Sequence, residues 1–148
     1  MRVAETLVLL VVVACMSVQE EELASSVATV NENSPIPGSP QKVNSNDPRV
    51  QNAALIGTYA FNNQSSDKFL FRVSDIQDAY IQVVKGINFL LEAKLSRTVC
   101  SKNEPNPNLD KCHFQPRGKL HQVLSCHFEV WAIPWKHWIK TTFFECHP

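Results

Sequence analysis

The sequence lacks the motifs that bring catalytic or metal-ligating side chains together. It contains no H-E-x-x-H, G-x-S-x-G or C-x-x-C pattern, and no Lys/Arg run with interleaved aromatic residues of the kind that binds nucleic acids. Its unbroken apolar run, Leu7 to Ala14, is far too short to span a bilayer. We therefore expect a protein that is not an enzyme, that uses no metal ion or other cofactor, and that has neither nucleic acids nor membranes as partners.

The composition is that of one soluble domain preceded by an export signal. The chain has 148 residues, of which 44% are hydrophobic and 19% are charged, with a formal net charge of zero. Arg2 precedes the apolar run, and the small residues Ala14, Cys15 and Ser17 follow it, which is the layout of a secretory signal peptide. The prediction is a signal peptide over residues 1–17, and the alternative is a buried N-terminal helix.

Removal of that signal would leave four of the five cysteines in the mature chain. They are Cys100, Cys112, Cys126 and Cys146. An even number of cysteines in a secreted chain indicates disulfide bonds, here with three possible connectivities. The simplest connectivity joins the first cysteine to the second and the third to the fourth. Cleavage directly after Ala14 is the alternative, and it would leave Cys15 as an unpaired thiol.

A flexible arm is predicted over residues 18–37. This stretch is rich in Glu, Ser, Asn and Pro, shows no periodicity and runs into the segment SPIPGSP. The folded domain is therefore expected to span residues 38–148.

One amphipathic helix is predicted to follow the arm. Asp47 is a typical N-cap residue, and Pro48 suits the first helical position. Asn62 and Asn63 favour a turn conformation and should end the helix. Its apolar and small residues recur on one side: Val50, Ala53, Ala54, Gly57, Ala60 and Phe61. This side should lie close against a sheet.

Beyond the helix the hydrophobic period changes to two, which indicates strands. Two stretches alternate most clearly, the first with Phe89, Leu91, Ala93 and Leu95 on one face and the second with Leu120, Leu124, Cys126, Phe128, Val130 and Ala132. Residues 68–85 and 136–146 are further strand candidates, and three prolines mark residues 101–118 as a long loop. Strands joined by tight tips pair antiparallel. The expected fold class is α+β, with one helix packed across an antiparallel sheet of four or five strands.

Two strand connections and the arm are expected to meet at one edge of this sheet. The first tip, Gln82 to Gly86, is partly apolar, whereas a simple turn would be short and polar. The second tip, Ala132 to Trp138, carries Trp135, a large amphipathic ring typical of recognition sites. Each tip has an alternative interpretation. In the second tip, the Trp135 ring would fold back onto the core. In the first tip, Gly86 would be an ordinary turn glycine.

Four features in this order resemble the type 2 cystatins, a family of secreted inhibitors of papain-like cysteine proteases. They are a glycine in the arm at Gly38, QVVKG at Gln82 to Gly86, PW at Pro134 and Trp135, and the four late cysteines in their spacing. The resemblance covers the chain from Gly38 to His147.

The resemblance implies the cystatin fold, five strands wrapped on one helix, with a wedge of the arm and the two tips that blocks a protease cleft reversibly. The protease-binding residues would be Gly38, Gln82, Val83, Val84, Lys85, Gly86, Pro134 and Trp135. The partners would be papain-like proteases such as cathepsins. The protein would be secreted or located in the endosome or lysosome. A second interpretation is an extracellular interaction module with this fold and no inhibitory activity, since fold does not fix function.

The sequence also departs from some members of the family. Certain members carry extra cysteines in the arm and just after the motif FNN, which support a disulfide-linked inactive dimer. Here the arm has none and Gln64 follows FNN, so we expect a monomer. Asn63, in the sequon Asn63-Gln64-Ser65, is an N-glycosylation acceptor in a secreted chain, or else an unused sequon. Relatives that also inhibit legumain, a different class of cysteine protease, carry an asparagine where this chain has Ser66.

Overall fold

The computed structural model describes residues 36–148. The predicted signal peptide, residues 1–17, and residues 18–35 of the predicted arm lie outside the described residues. The elements are β1 Gln41–Lys42, α1 Pro48–Gln64, β2 Phe69–Val83, β3 Ile87–Ser101, β4 Val123–Ile133 and β5 Trp138–His147, with short 3₁₀ turns at Leu109–Lys111 and Pro134–Lys136. No helix in this described part is long and apolar enough to cross a membrane.

The five strands form one antiparallel sheet in the order β1-β2-β3-β4-β5. Each strand pairs with its neighbour in sequence, as expected for strands joined by short connections. The helix α1 packs across the sheet and contacts β2, β3, β4 and β5. The predicted α+β fold, with one helix across five antiparallel strands, is therefore confirmed within the described residues.

Local sequence determines where α1 begins. The Asp47 carboxylate accepts a hydrogen bond from the backbone N–H of Arg49 at 2.9 Å, and Pro48 lies in the first turn, where its missing N–H leaves no bond unmade. Hydrogen bonds from the Arg49 side chain to the same carboxylate hold the pKa of Asp47 below its usual range. The helix ends at Gln64, close to the predicted end.

Small residues line the side of α1 that meets the sheet. Val50, Ala53, Ala54 and Gly57 are buried as predicted, and Ala60 and Phe61 are partly buried. A Cβ atom at Gly57 would lie only 2.7 Å from the Phe128 ring of β4. The helix can therefore lie this close to the sheet because residue 57 has no side chain.

The second alternating stretch starts later than predicted. Its members Leu124, Cys126, Phe128, Val130 and Ala132 are buried in β4. Leu120 lies outside the strand and is 49% exposed, so the prediction for this residue was wrong. The chain turns here, because the His121 N–H donates to the Gly118 carbonyl at 3.2 Å and the Arg97 guanidinium donates to the Leu120 carbonyl at 2.8 Å. These bonds hold the backbone of Leu120 out of the strand ladder.

Two disulfide bonds join cysteines that are neighbours in sequence. The Cys126–Cys146 bond links β4 to β5 in the main hydrophobic core. The Cys100–Cys112 bond lies in a smaller cluster with Leu109, where it holds the long loop after β3 against the rest of the domain. Each bond closes a short loop and should therefore stabilise the fold mainly by restricting the unfolded chain.

Asn62 ties the end of the helix to β2. Its side chain is buried, its Nδ2 donates to the Phe71 carbonyl at 2.8 Å, and its Oδ1 accepts from the Phe71 N–H at 2.9 Å. The short β1 pairs only with Tyr80 and Ile81, so β2 is an edge strand at Phe71. Without Asn62, the outward backbone groups of Phe71 would be buried and unpaired.

Replacing Asn62 with alanine is expected to lower the free energy of unfolding by about 2 kcal/mol, because two buried backbone groups lose their partners. Urea unfolding of chain produced without glycosylation measures the change. Asn63→Ala is the matched control, since Asn63 is the next residue along the helix and is exposed. Equal losses of stability in the two variants would contradict the role given to Asn62.

Candidate functional site

The first and second tips lie side by side at one edge of the sheet, the edge formed by the ends of the strands. The first residue of β3, Ile87, follows the first tip and pairs with Ala132, which lies at the end of β4. Antiparallel pairing therefore brings Gln82 to Gly86 next to Pro134 to Trp138. The two tips share an edge, as predicted from the sequence.

The first tip exposes apolar side chains on a tight backbone. Val83 is 67% exposed and Val84 is 42% exposed. The Val84 N–H donates to the Gly86 carbonyl at 3.1 Å. Lys85 has a left-handed φ of 34°, a conformation that residues other than glycine adopt rarely and at a cost. The tip is therefore a closed turn that presents two valines and a lysine.

Gly86 has a structural role beyond that of an ordinary turn glycine. Its φ is 118°, a value that residues with a side chain rarely adopt. A Cβ atom here would collide with the Ala132 carbonyl oxygen and lie 3.1 Å from Nε1 of Trp131. The first tip can therefore lie against the end of β4 only because residue 86 has no side chain.

The second tip projects Trp135 from a firm base. Residues Pro134–Lys136 form a 3₁₀ turn that the N–H of His137 closes with a hydrogen bond. Trp135 is 68% exposed, so its ring is not folded back onto the core. Beneath the turn, Trp138 packs edge-on against Trp131 with the ring centroids 5.2 Å apart. The ring of Trp135 is therefore free to contact another molecule.

The described end of the arm lies beside the first tip. The Gly38 carbonyl accepts a hydrogen bond from Nε2 of Gln82 at 2.7 Å. The Ile36 carbonyl accepts from both the N–H and the hydroxyl of Ser39, at 3.0 and 2.6 Å, which closes residues 36–39 into a turn. Ile36 itself is 74% exposed. We call residues 36–39, the first tip and residues 134–138 of the second tip the binding edge.

The binding edge carries positive charge. Lys85 and Lys136 are exposed on the tips, with the exposed His137 next to Lys136, and the segments of the binding edge contain neither Asp nor Glu. The nearby carboxylate of Asp78 pairs with Lys42 of β1 at 2.8 Å, and this hydrogen bond raises the pKa of Lys42. Lys136 and His137 were not among the residues predicted for the site. The sequence feature that could have identified them is their position between Trp135 and Trp138 in the second tip.

The side chains of the binding edge suit binding rather than catalysis. Its exposed apolar groups, Ile36, Val83, Val84 and Trp135, belong to three segments of the chain and lie at one edge of the sheet. Such a row on a folded domain is typical of a protein-binding surface. Within the binding edge no nucleophile is paired with a base, as covalent catalysis would require. The predicted site residues therefore lie together at this edge of the sheet.

A family model described as the Cystatin domain matches residues 38–135. The chain belongs to the cystatin family, whose members inhibit cysteine proteases, and it is not an enzyme. It is 42% identical to human Cystatin-F over 111 residues, which cover 75% of this chain and 76% of that protein. Mouse Cystatin-F is 41% identical over 110 residues, covering 74% of this chain and 76% of the mouse protein. A crystal structure of dimeric human cystatin F matches with a TM-score of 0.72 and 41% identity, covering 80% of this chain and 94% of that one.

Finer motifs of the sequence predict a likeness to leukocystatin, which is cystatin F, within this family. These motifs are NDP before α1, FNN at its end, FLF at Phe69 to Phe71 and EVW before the second tip. The identities to the human and mouse proteins and the match to the human structure confirm that prediction.

Proposed function

We propose that this chain is a secreted or endolysosomal inhibitor that binds papain-like cysteine proteases, cathepsins among them, tightly and reversibly. Its binding edge would enter the active-site cleft as a wedge and exclude both substrate and water. The observation that carries the proposal is the exposure of Trp135, Val83 and Ile36 in three segments at one edge. These exposed side chains contribute little to holding the domain together, so a partner surface is the better explanation for them.

Each segment of the binding edge is assigned a part of the cleft on the resemblance to type 2 cystatins. Residues 36–38 would lie in the unprimed subsites. Gln82 to Gly86 would lie over the catalytic cysteine and histidine of the protease. Pro134 and Trp135 would cover the primed side.

The closed turns of the binding edge support tight and reversible inhibition. The first tip is closed by the bond between Val84 and Gly86, and the second by its 3₁₀ turn. A preformed surface loses less conformational entropy on binding than a flexible loop does. The same turns keep the tips from the extended shape of a bound substrate, so we expect the chain to remain uncut.

Titration of papain tests the proposal. Increasing amounts of the chain, added to papain at a concentration well above the Kd, should abolish activity near a one-to-one ratio. Activity should return slowly on dilution into excess substrate, and mass spectrometry should find the chain intact. Full papain activity in the presence of a correctly folded chain would instead favour the interaction module without inhibitory activity.

The proposed glycosylation acceptor, Asn63, lies away from the binding edge. The first turn of α1 is near the second tip, since Arg49 and Asn52 line a shared cleft with Pro134 and Trp138. The helix has 17 residues and is therefore about 25 Å long, with Asn63 near its other end. Asn63 is exposed, so a glycan there would be accommodated without obstructing the binding edge.

We expect the mature chain to be a monomer. The four cysteines of the described domain are paired within the chain, and Gln64 follows the FNN motif. Size-exclusion chromatography should therefore give one monomeric peak with and without reductant. A dimer that reductant dissociates would indicate that the signal is cut after Ala14 and that Cys15 remains.

The chain should inhibit legumain poorly. Ser66 lacks the carboxamide group that legumain reads in the aligned asparagine of relatives, and a site built to hydrogen-bond a group rejects an analogue without it. Asn62 cannot substitute, because it is buried and bonded to Phe71. In chains produced without glycosylation, legumain assays should find a gain of inhibition in Ser66→Asn and none in the control Ser65→Asn. Strong inhibition by the unmodified chain would contradict the prediction.

A further inference from the structure

The Gln82 side chain connects two segments of the binding edge that are 44 residues apart in sequence. Its Nε2 donates to the Gly38 carbonyl at 2.7 Å. We propose that Gln82 is a positioning residue that holds the arm beside the first tip, so that the arm contributes to protease affinity through this side chain. The inference rests on the proposed function and deepens it, because it couples two of the three segments of the wedge.

Backbone pairing cannot hold the arm where it meets the first tip. The strand β1 pairs Gln41 with Ile81 of β2. The Val43 N–H donates to the Ala79 carbonyl at 2.9 Å, and because hydrogen-bonded pairs alternate along an antiparallel ladder, the next donor beyond Gln41 would be the Ser39 N–H. The Ser39 N–H donates instead to the Ile36 carbonyl. The ladder therefore stops at Gln41, and the side-chain amide of Gln82 supplies the next hydrogen bond between the two segments.

The bond orients a small closed unit. Residues 36–39 form a turn through the two hydrogen bonds from Ser39 to the Ile36 carbonyl. Close packing against the rest of the domain does not fix Gly38, since apart from its chain neighbours no atom lies within 4 Å of the place where its Cβ would be. The hydrogen bond from Gln82 thus sets the direction of this turn and of its exposed Ile36 side chain.

Loss of the Gln82 amide should let the turn swing and raise the entropy cost of placing Ile36 in a protease cleft. A neutral hydrogen bond of this kind changes an equilibrium constant by about three- to tenfold. The change is expected to appear as faster dissociation, since most effects of interface mutations lie in the dissociation rate.

A double-mutant cycle in the full chain separates positioning from a direct contact between Gln82 and the protease. Gln82→Ala removes the donor, and Gln82→Glu keeps the length of the side chain but replaces the donor by an acceptor. Each should raise the rate of papain dissociation about three- to tenfold in the otherwise unmodified chain. In the Ile36→Ala background, the same changes should raise it less than about twofold. Gln41→Ala, an exposed neighbour on β1, is the matched control and should leave the rate unchanged.

Two outcomes of this cycle would overturn the proposal. An equal increase in both backgrounds would show that Gln82 acts on the protease independently of the arm. No increase in the unmodified background would show that the bond does not contribute to the complex.

Backbone NMR relaxation of the free chain gives a readout that needs no protease. Gln82→Ala should lower the order parameter of Ser39 and leave that of Lys42 in β1 unchanged. An unchanged value at Ser39 would overturn the proposal. If the unmodified chain fails to inhibit papain, the proposed function fails, while this measurement still decides whether Gln82 positions the arm.

Discussion

Trp135→Ala is expected to weaken inhibition of papain at least about 30-fold while leaving the melting temperature of the domain unchanged. The ring is 68% exposed, so its removal opens no cavity in the core. Truncating an aromatic anchor at a protein interface costs about 2 kcal/mol or more, which corresponds to that factor. Inhibition constants and thermal melts of the two proteins measure the two effects separately.

Trp138 provides the matched control for this experiment. It lies three residues further along, is 39% exposed and packs edge-on against Trp131. Trp138→Ala should lower the melting temperature, because the aromatic pair supports the base of the second tip. If Trp135→Ala lowers the melting temperature as much and abolishes binding as well, the Trp135 ring is structural and the proposed anchor is wrong.

Replacing Cys126 and Cys146 together with alanine is expected to lower the free energy of unfolding by about 3 kcal/mol. The bond closes a loop with a sequence separation of 20, and Cys126 is buried in the main core. The second tip follows the Ile133–Trp138 pair at one end of the β4–β5 ladder. The disulfide lies near the opposite end of this ladder. Papain inhibition measured well below the melting temperature should therefore change little.

Urea unfolding of this variant should show lower stability, and papain titration should show inhibition little changed. This is the reverse of the result expected for Trp135→Ala. Replacing Cys100 and Cys112 with alanine is the comparison, since that bond closes a loop of separation 12 in the smaller cluster and should also contribute about 3 kcal/mol. A loss of inhibition in parallel with stability, at temperatures where the domain stays folded, would contradict the separation of the binding edge from the core.

Much of the fold could be predicted because it depends on local chemistry and on periodicity. Asp47 and Pro48 mark the start of α1 by their capping properties, and the alternation from Leu124 onward marks β4. Leu120 shows the limit of this reasoning. It continues the alternation, yet Arg97, which lies 23 residues earlier, bonds its carbonyl in a turn outside the strand. A period of two does not reveal such a competing contact.

The contacts that build the binding edge could not be predicted from the sequence. The strand β1 has only two residues, too few to show a period, and it forms because these residues pair with β2. The fit of Gly86 against Ala132 and the bond from Gln82 to Gly38 join residues that are distant in sequence. A glycine or a glutamine in the sequence does not indicate which distant residue it contacts. The two tips were singled out by their residue types and the full set of site residues by resemblance to a family. Only the folded chain shows how these residues support one another.

The left-handed residues of the two tips limit how the binding edge can be redesigned. Lys85 and His137 have φ values of 34° and 49°. Asparagine, aspartate and glycine adopt such values at low cost, whereas β-branched residues do not. Lys85→Asp would therefore reverse the charge of the first tip with its turn intact, and Lys85→Val would distort the turn. Shape and charge are therefore separable variables at Lys85, so the proposed wedge could be given a different charge on an unchanged backbone.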